Sequence, residues 1–143
     1  MQVRITRADP SIELPQYQTA GSVAFDLSSA EDITVEPRGA AKISTGLIIA
    51  IPKGYMLMIA ARSSLFWKKG LISTNGIGVI DQDFCGPEDI LKLSLWNPGD
   101  TPVMITKGER LGQGFFLPIE RAEWIEAPAE GPSRGGFGTT GVK

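Results

Sequence analysis

An all-β sandwich or barrel is the fold class that this sequence of 143 residues predicts. Seventeen glycines and ten prolines divide the chain every few residues, which excludes long regular segments. The runs between them are short and β-prone, and several alternate apolar with polar side chains, as half-buried strands do. With 42% hydrophobic and 21% charged residues, a chain of this length is expected to form one globular domain with a full core.

Six runs are predicted to be strands. In chain order they are Val3–Thr6, Ile33–Glu36, Ala41–Ile51, Tyr55–Ala60, Ile90–Trp96 and Pro102–Ile105. The alternation is clearest in ILKLSLW, the sequence of the fifth run. One short helix is predicted over Ser63–Lys69, because a serine opens it and Gly70 ends it.

The C-terminal residues differ in composition from the rest of the chain. From Ala127 onward there is too much glycine and proline, and too little apolar surface, for a packed strand or helix. We therefore predict a β domain over residues 1–126 and a flexible C-terminal arm over residues 127–143. The arm contains RGGFGTTG at Arg134–Gly141, in which the arginine, the hydroxyls and the glycine N–H groups suit phosphate oxygens and the phenylalanine suits a base. A frayed terminus and a phosphate-binding lid are both consistent with these residues.

Composition excludes several kinds of chemistry. The chain has no histidine, which removes Ser-His and Cys-His catalysis and every His-ligated metal site. Acid–base work then falls to carboxylates, Lys, Tyr or Cys, and any metal site needs the oxygen ligands that suit Mg²⁺, Ca²⁺ or Mn²⁺.

Charge, cysteine content and hydropathy predict the cellular location of the protein and the partners that it does not bind. A net charge of −2 argues against broad binding to nucleic acid, and no apolar run approaches the roughly 18 residues of a membrane span. The single cysteine, Cys85, precludes an intrachain disulfide, and the first residues lack the apolar run of a secretion signal. We therefore expect a cytoplasmic protein that binds neither nucleic acid nor membrane.

Two clusters of polar residues follow predicted strands. Arg62-Ser63-Ser64 joins a cation to two hydroxyls at a helix start, which indicates either an anion site or a helix cap beside a surface arginine. Asn75–Phe84 is predicted to be a hairpin with an Asn-Gly turn. In a binding site, the amide of Asn75 suits the edge of a pyrimidine base, Asp81 suits an attacking water and Phe84 suits a sugar. The alternative is an ordinary hairpin with acidic turn residues.

Two further clusters are open to two interpretations each. Arg110 and Gln113 either contact phosphates or are solvated strand residues. Asp26 lies between Phe25 and Leu27, so that it is expected to be partly buried and to need a partner, most simply an arginine. The alternative for Asp26 is a carboxylate in a turn.

The order of these segments resembles the five sequence motifs of the all-β, trimeric dUTPases. The segments are Ala20–Leu27, Arg62–Ser64, Asn75–Phe84, Arg110–Gln113 and Arg134–Gly141. The resemblance covers nearly the whole chain, and RGGFGTTG and NGIGVID are its most specific parts. It implies a distorted jelly roll of the β-clip type with one short helix, a homotrimer with active sites shared between subunits, and the hydrolysis of dUTP to dUMP and pyrophosphate. This activity limits uracil in DNA and supplies dUMP for thymidylate synthesis.

The resemblance also implies roles for individual residues. Asp81 would activate the water that attacks the α-phosphorus, and Phe84 would lie beneath deoxyribose. Uracil would be recognised by the side chain of Asn75 and by the backbone of Gly78, Val79 and Ile80. The phosphates would be held by Arg62, Ser63, Ser64, Arg110 and Gln113. Asp26 would support the phosphate-binding arginine, and Lys92 would be a further substrate contact.

The arm and the metal complete the implied site. Arg134, Gly135, Gly136, Thr139 and Thr140 would hold the terminal phosphate, and Phe137 would cover the uracil ring. The expected cofactor is Mg²⁺, held by the triphosphate oxygens and water and not by protein ligands.

The chain departs from the family pattern in two places. Phe84 stands where the family usually has tyrosine, so the ring face is kept and the hydroxyl is lost. Pro87-Glu88-Asp89 adds about three residues before the next strand, which shifts the alignment of Lys92.

Two other functions fit parts of the sequence. A dCTP deaminase of the same fold also carries Arg-Ser-Ser, but Ser94 occupies the position of its essential glutamate. A non-catalytic nucleotide-binding regulator is the second alternative, and the intact Asp81, Arg62 and Gln113 argue against it.

Overall fold

The computed structural model describes residues 1–136, which form eleven β-strands and one short α-helix. The all-β class with a single short helix is therefore confirmed. The strands are β1 (Arg4–Arg7), β2 (Phe25–Ser28), β3 (Ile33–Val35), β4 (Ala40–Ser44), β5 (Leu47–Ala50), β6 (Tyr55–Ala61), β7 (Ile72–Ser73), β8 (Ile77–Ile80), β9 (Lys92–Trp96), β10 (Val103–Ile105) and β11 (Arg110–Pro118). The helix is α1 (Leu65–Lys69), and no helix within the described residues is long and apolar enough to cross a membrane.

All strand pairs are antiparallel, and they form four small sheets. The largest has the order β2-β11-β6-β8, and a three-stranded sheet has the order β4-β9-β7. Two pairs, β1-β5 and β3-β10, complete the arrangement. Strand β11 is the centre of the largest sheet, because Gln113 lies opposite Asp26 of β2 on one side and opposite Ala60 of β6 on the other.

The core lies between these sheets and draws on all of them. Leu27, Ile43, Leu57 and Leu111 are at most 1% exposed, and each such side chain stabilises the fold by about 1.5–3 kcal/mol. Strand β11 comes unusually close to its neighbours. A Cβ atom at Gly112 would lie 2.8 Å from a methyl group of Leu93, so this position brings the two larger sheets into direct contact.

The predicted strands and the helix differ from the observed elements by one or two residues at their ends, and one predicted run is two strands in the structure. The run Ala41–Ile51 is two strands, because both the N–H and the hydroxyl of Thr45 donate to the carbonyl oxygen of Leu91, at 3.0 and 2.8 Å. The chain turns there instead of continuing as one strand. Helix α1 ends before Gly70 as predicted but begins at Leu65, after Ser64 in the N-cap position.

The predicted hairpin over Asn75–Phe84 is wrong. Strand β7 pairs with β9 and strand β8 pairs with β6, so the two strands that flank the Asn-Gly turn belong to different sheets. The reason is that the N–H of Thr74 donates to the carbonyl oxygen of Ser94 at 3.0 Å, and its hydroxyl donates to Oγ of Ser94 at 2.7 Å. The turn still forms, with Gly76 at a φ of 67°, and it crosses from one sheet to the other.

The final described segment has no regular structure. Strand β11 ends at Pro118, and residues 119–136 contain neither helix nor strand. The boundary between residues 126 and 127 stays a prediction. Phe137, Thr139 and Thr140 lie outside the described residues.

Candidate active site

Three charged side chains meet at one end of the largest sheet, and we call them the charged cluster: Asp26, Arg62 and Arg110. Nε of Arg62 lies 2.9 Å from Oδ1 of Asp26, and Nη1 of Arg110 lies 2.9 Å from Oδ2. The Asp26 side chain is 12% exposed, and those of Arg62 and Arg110 are 28% and 44% exposed. The expected arginine partner of Asp26 is therefore two arginines, one for each carboxylate oxygen.

The strand register explains this meeting. Asp26 on β2 faces the middle of β11, Arg62 directly follows β6, and Arg110 begins β11. A carboxylate with so little exposure to water needs such partners to offset its loss of hydration. Since one carboxylate compensates only one of two cations, the cluster keeps a net positive charge on its solvent side. That arrangement suits an anionic ligand.

Two polar side chains, those of Ser64 and Gln113, lie beside the cluster. Ser64 occupies the N-cap position of α1, but its side chain makes no capping hydrogen bond. Gln113 donates from Nε2 to the carbonyl oxygen of Ala61 at 3.2 Å, which fixes its side chain next to Arg62. The helix-cap interpretation of Arg62-Ser63-Ser64 therefore lacks the hydrogen bond that defines a side-chain cap.

A groove of about 120 Å³ runs between the four-stranded and the three-stranded sheets. Its polar side chains are Ser73, Asn75, Lys92 and Ser94, and the backbone from Gly78 to Ile80 forms one wall. Strand β8 is the edge of its sheet, since it pairs only with β6, and an edge strand leaves N–H and C=O groups free on its outer side. The groove thus offers hydrogen-bonding backbone and side chains to a small planar ligand.

The groove contains most of the residues predicted to recognise a base. Asn75, Gly78, Val79, Ile80 and Lys92 all line it. Two lining residues, Ser73 and Ser94, were not predicted to contact substrate. The period of two in β9 places Ser94 on the same face as Lys92 and was the available signal for it.

A turn beyond β8 holds the candidate water-activating carboxylate, and we call residues 81–84 the Asp81 turn. Gln82 anchors it by donating from Nε2 to the carbonyl oxygen of Tyr55 at 2.9 Å, and the N–H of Phe84 donates to the carbonyl oxygen of Asp81 at 3.3 Å. Asp81 is exposed, and its carboxylate forms no hydrogen bond or ion pair within residues 1–136. Phe84 is 38% exposed.

The Asp81 turn and the charged cluster lie at opposite ends of the sheet. Ala60 of β6 pairs with Ile77 of the antiparallel strand β8. Arg62 lies two positions beyond this pair toward one end of the sheet, and Asp81 lies four positions beyond it toward the other end. Six residue positions along the strand direction correspond to roughly 20 Å. A single chain therefore does not bring these two predicted parts of the site together.

The remaining predicted residues are peripheral in the structure. Arg134, Gly135 and Gly136 are exposed and belong to no regular element. The extra residues Pro87-Glu88-Asp89 fold back as a turn, because Oδ2 of Asp89 accepts a hydrogen bond from the N–H of Gly86 at 2.7 Å. Within residues 1–136, no three Cys, Asp or Glu side chains gather closely enough to hold a metal ion.

An all-β fold with a positively charged cluster near a groove of about 120 Å³ is the arrangement that suits a ligand combining phosphates with a base, as a nucleotide does. A family model described as dUTPase matches residues 10–141, nearly the whole chain. The chain belongs to the dUTPase family.

Relatives extend over almost the full length. The "Deoxyuridine 5'-triphosphate nucleotidohydrolase" of Wolinella succinogenes is 36% identical over 99% of this chain and 95% of the relative. The crystal structure of dUTPase from Streptococcus mutans covers 87% of this chain and 100% of that one, with 29% identity and a TM-score of 0.79. A mutant dUTPase from phage phi11 of S. aureus, described with a structural Mg(II) ion, has a TM-score of 0.81 at 21% identity and covers 90% of this chain and 98% of that one. The jelly-roll dUTPase fold is thereby confirmed.

Proposed function

We propose that this protein is a dUTP diphosphatase, which hydrolyses dUTP to dUMP and pyrophosphate by attack of water on the α-phosphorus. The observation that supports this most is the groove, where the free edge of β8 faces Asn75 and Lys92. Family membership and the activity named for the relatives point to the same substrate.

The groove selects the base. Uracil presents a carbonyl oxygen, an N–H and a second carbonyl oxygen, and the edge of β8 together with the Asn75 amide supplies matching donors and acceptors. Cytosine carries an amino group where uracil has a carbonyl oxygen. A site built for uracil therefore rejects cytosine, because a buried donor would be left unpaired.

The charged cluster and its neighbours bind the phosphates. Arg62 and Arg110 approach Asp26 with one side of each guanidinium, which leaves other N–H groups for phosphate oxygens. Ser63, Ser64 and Gln113 add neutral donors next to Arg62. Asp26 is a positioning residue, since it holds both arginines and does not itself contact an anion.

Asp81 acts as the general base, and Phe84 shapes the sugar site. An exposed carboxylate that has no partner among residues 1–136 is available to orient and deprotonate a water molecule. The ring of Phe84, 38% exposed, lies three residues further on, where it packs under deoxyribose and leaves no room for a 2′-hydroxyl.

A second copy of the chain completes the site. Because roughly 20 Å separates Asp81 from Arg62 along the sheet, one chain cannot place both at the same triphosphate. The homotrimer implied by the family resemblance solves this by bringing the Asp81 turn of one subunit to the charged cluster of its neighbour. The C-terminal arm, with Arg134, Gly135 and Gly136 in its described part, then closes over the nucleotide.

The chemistry of the donor groups fits Mg²⁺ as the cofactor. The triphosphate oxygens and water would be its ligands, since Mg²⁺ favours oxygen and needs no dedicated protein cage when phosphates are present. When bound, the ion supplies charge compensation and orientation of the phosphate chain. We place the protein in the cytoplasm, where its nucleotide substrate and a reducing environment for Cys85 are found.

Product analysis tests the function and separates it from the two alternatives. The purified protein is incubated with Mg²⁺ and dUTP, dCTP, UTP or dTTP in separate reactions. Release of dUMP and pyrophosphate from dUTP alone is the expected result. Ammonia from dCTP would establish a deaminase, and no turnover of any nucleotide would favour a regulator that binds nucleotide without reaction.

A further inference from the structure

Ser73 makes a contact in the groove that the family motifs do not assign. Its hydroxyl donates a hydrogen bond to Oδ1 of Asn75 at 3.0 Å. This is the only side-chain hydrogen bond of either residue within the described part of the chain. Nδ2 of Asn75 lies 3.9 Å from the position that a Cβ atom on Gly78 would occupy, so the donor end of the amide is next to β8.

The turn between the two sheets creates this geometry. Ser73 is the last residue of β7 and is partly buried, whereas Asn75 is exposed in the turn. Thr74, between them, is tied to Ser94 through its N–H and its hydroxyl. Since Thr74 is anchored to the three-stranded sheet, Ser73 and Asn75 are held on either side of it and both line the groove.

We propose that Ser73 is a positioning residue that sets base selection through Asn75. An exposed asparagine side chain can present either its amide oxygen or its NH₂ group to a ligand. By occupying Oδ1, the Ser73 hydroxyl leaves Nδ2 to donate to the C4 carbonyl oxygen of uracil. Cytosine has an amino group at the same position. Two donors would then face each other, and neither the amino group nor Nδ2 of Asn75 would have an acceptor. The inference rests on the proposed function, because it deepens the choice of base by the same groove.

The first test removes the hydroxyl and reports on both bases. Ser73→Ala is expected to raise the KM for dUTP about fivefold, with kcat nearly unchanged, since the Asn75 amide loses the orientation that favours its hydrogen bond to the base. The inhibition constant of dCTP against dUTP hydrolysis changes much less, so that discrimination falls. Ser73→Thr keeps the hydroxyl and restores the KM. Thr34→Ala, which removes an exposed hydroxyl from β3 on another sheet, is the matched control.

The second test asks whether Ser73 acts through Asn75. In an Asn75→Ala background, Ser73→Ala is expected to have no further effect on kcat/KM, because the amide that its hydroxyl would orient is absent. Equal effects in both backgrounds would overturn the proposal, as would an equal loss of affinity for dUTP and dCTP. Thermal denaturation of each variant separates these outcomes from a loss of folding, and Ser73→Asp, which also lacks the hydroxyl donor, keeps the proposal testable if Ser73→Ala does not fold.

The third test reverses the amide. The carboxylate in Ser73→Asp accepts hydrogen bonds only, so it binds Nδ2 and turns Oδ1 toward the groove. The ratio of dCTP to dUTP affinity is then expected to rise further than in Ser73→Ala, and the added charge affects both nucleotides alike. An unchanged ratio would contradict the mechanism.

The proposed function and the role of Ser73 fail in different ways. No wild-type turnover of dUTP would contradict the function. Calorimetric binding of dUMP and dCMP to the wild type and the Ser73 variants would still measure selection by the groove. Wild-type turnover with unaltered selection in Ser73→Ala would contradict only the role of Ser73.

Discussion

The charged cluster and the Asp81 turn are two halves of one proposed site, and their carboxylates differ in exposure and in bonding. In the cluster, Asp26 is 12% exposed and bound by two arginines at 2.9 Å. In the turn, Asp81 is exposed and has no partner within residues 1–136. Folding of the chain brings the three charged side chains of the cluster into contact with each other. In the Asp81 turn, folding fixes the backbone and leaves the Asp81 carboxylate exposed. Removing a charge from the first should therefore affect stability, and removing one from the second should affect chemistry.

The largest expected effect is at Asp81. Asp81→Asn removes the general base but leaves the turn and the phosphate contacts intact, so kcat for dUTP should fall about 100- to 10,000-fold. Binding of a non-hydrolysable imido analogue of dUTP, measured by calorimetry, should be unchanged. Asp83→Asn, in the same turn, is the control for a lost surface charge. Full activity of Asp81→Asn would remove Asp81 from the mechanism.

Truncation after Ser133 tests whether the arm belongs with the catalytic half. Loss of Arg134 and the residues beyond it should lower kcat at least about 100-fold, because the donors that are proposed to bind the phosphates are removed. The proposed trimer, followed by sedimentation, should persist, since no strand or helix of residues 1–136 is removed. Glu130→Ala, earlier in the arm, is the control. Unchanged turnover after truncation would show that the arm is not a lid.

Asp26→Asn tests the folded half of the comparison. It leaves Arg62 and Arg110 side by side without their carboxylate, and we expect the free energy of unfolding to fall by about 1–3 kcal/mol. Asp100→Asn is the matched control, because it breaks an ion pair with Arg38 whose side chains are 83% and 64% exposed, and such a pair contributes about 0–1 kcal/mol. Urea denaturation measures both. Equal losses for the two variants would mean that the cluster does not stabilise the fold.

The smallest effect concerns Asp9, an exposed acid that does have a local partner. Hydrogen bonds from the side chain and then the backbone of Ser11 lower the pKa of Asp9 below its ordinary value. A lowered pKa in the folded state favours folding above the unfolded pKa, and this contribution is lost as the pH falls through the folded pKa. Ser11→Ala should raise the Asp9 pKa partway, as measured by NMR titration. An unchanged pKa would rule out the hydroxyl as the main cause.

The sequence predicts the local features of this protein well. Alternation in Ile90–Trp96 and the serine and glycine around α1 depend on neighbouring residues, and both elements are found within two residues of their expected bounds. The pairing of β7 with β9 and of β8 with β6 was missed, because it depends on a contact between Thr74 and Ser94, which are distant in sequence. An Asn-Gly pair specifies a turn, but it does not specify which sheet each strand joins.

The candidate site follows the same division. The need of Asp26 for an arginine was predictable from its apolar neighbours in the sequence. That it binds two arginines depends on the register of three strands. The contact between Ser73 and Asn75 could not be predicted, because only the folded structure shows that the two side chains lie within hydrogen-bonding distance. In a sequence, a serine near a turn is usually interpreted as solvated.

The bridging of two arginines by Asp26 also bears on unwanted ligands. Because the carboxylate compensates one of the two positive charges, a passing polyanion such as nucleic acid meets about one free cation here rather than two. Weak, non-specific binding should therefore be limited, and it should depend little on ionic strength. In the proposed function, a nucleotide whose base is held by the groove would gain from both guanidinium groups, so selectivity would arise from the combination and not from a strong positive field.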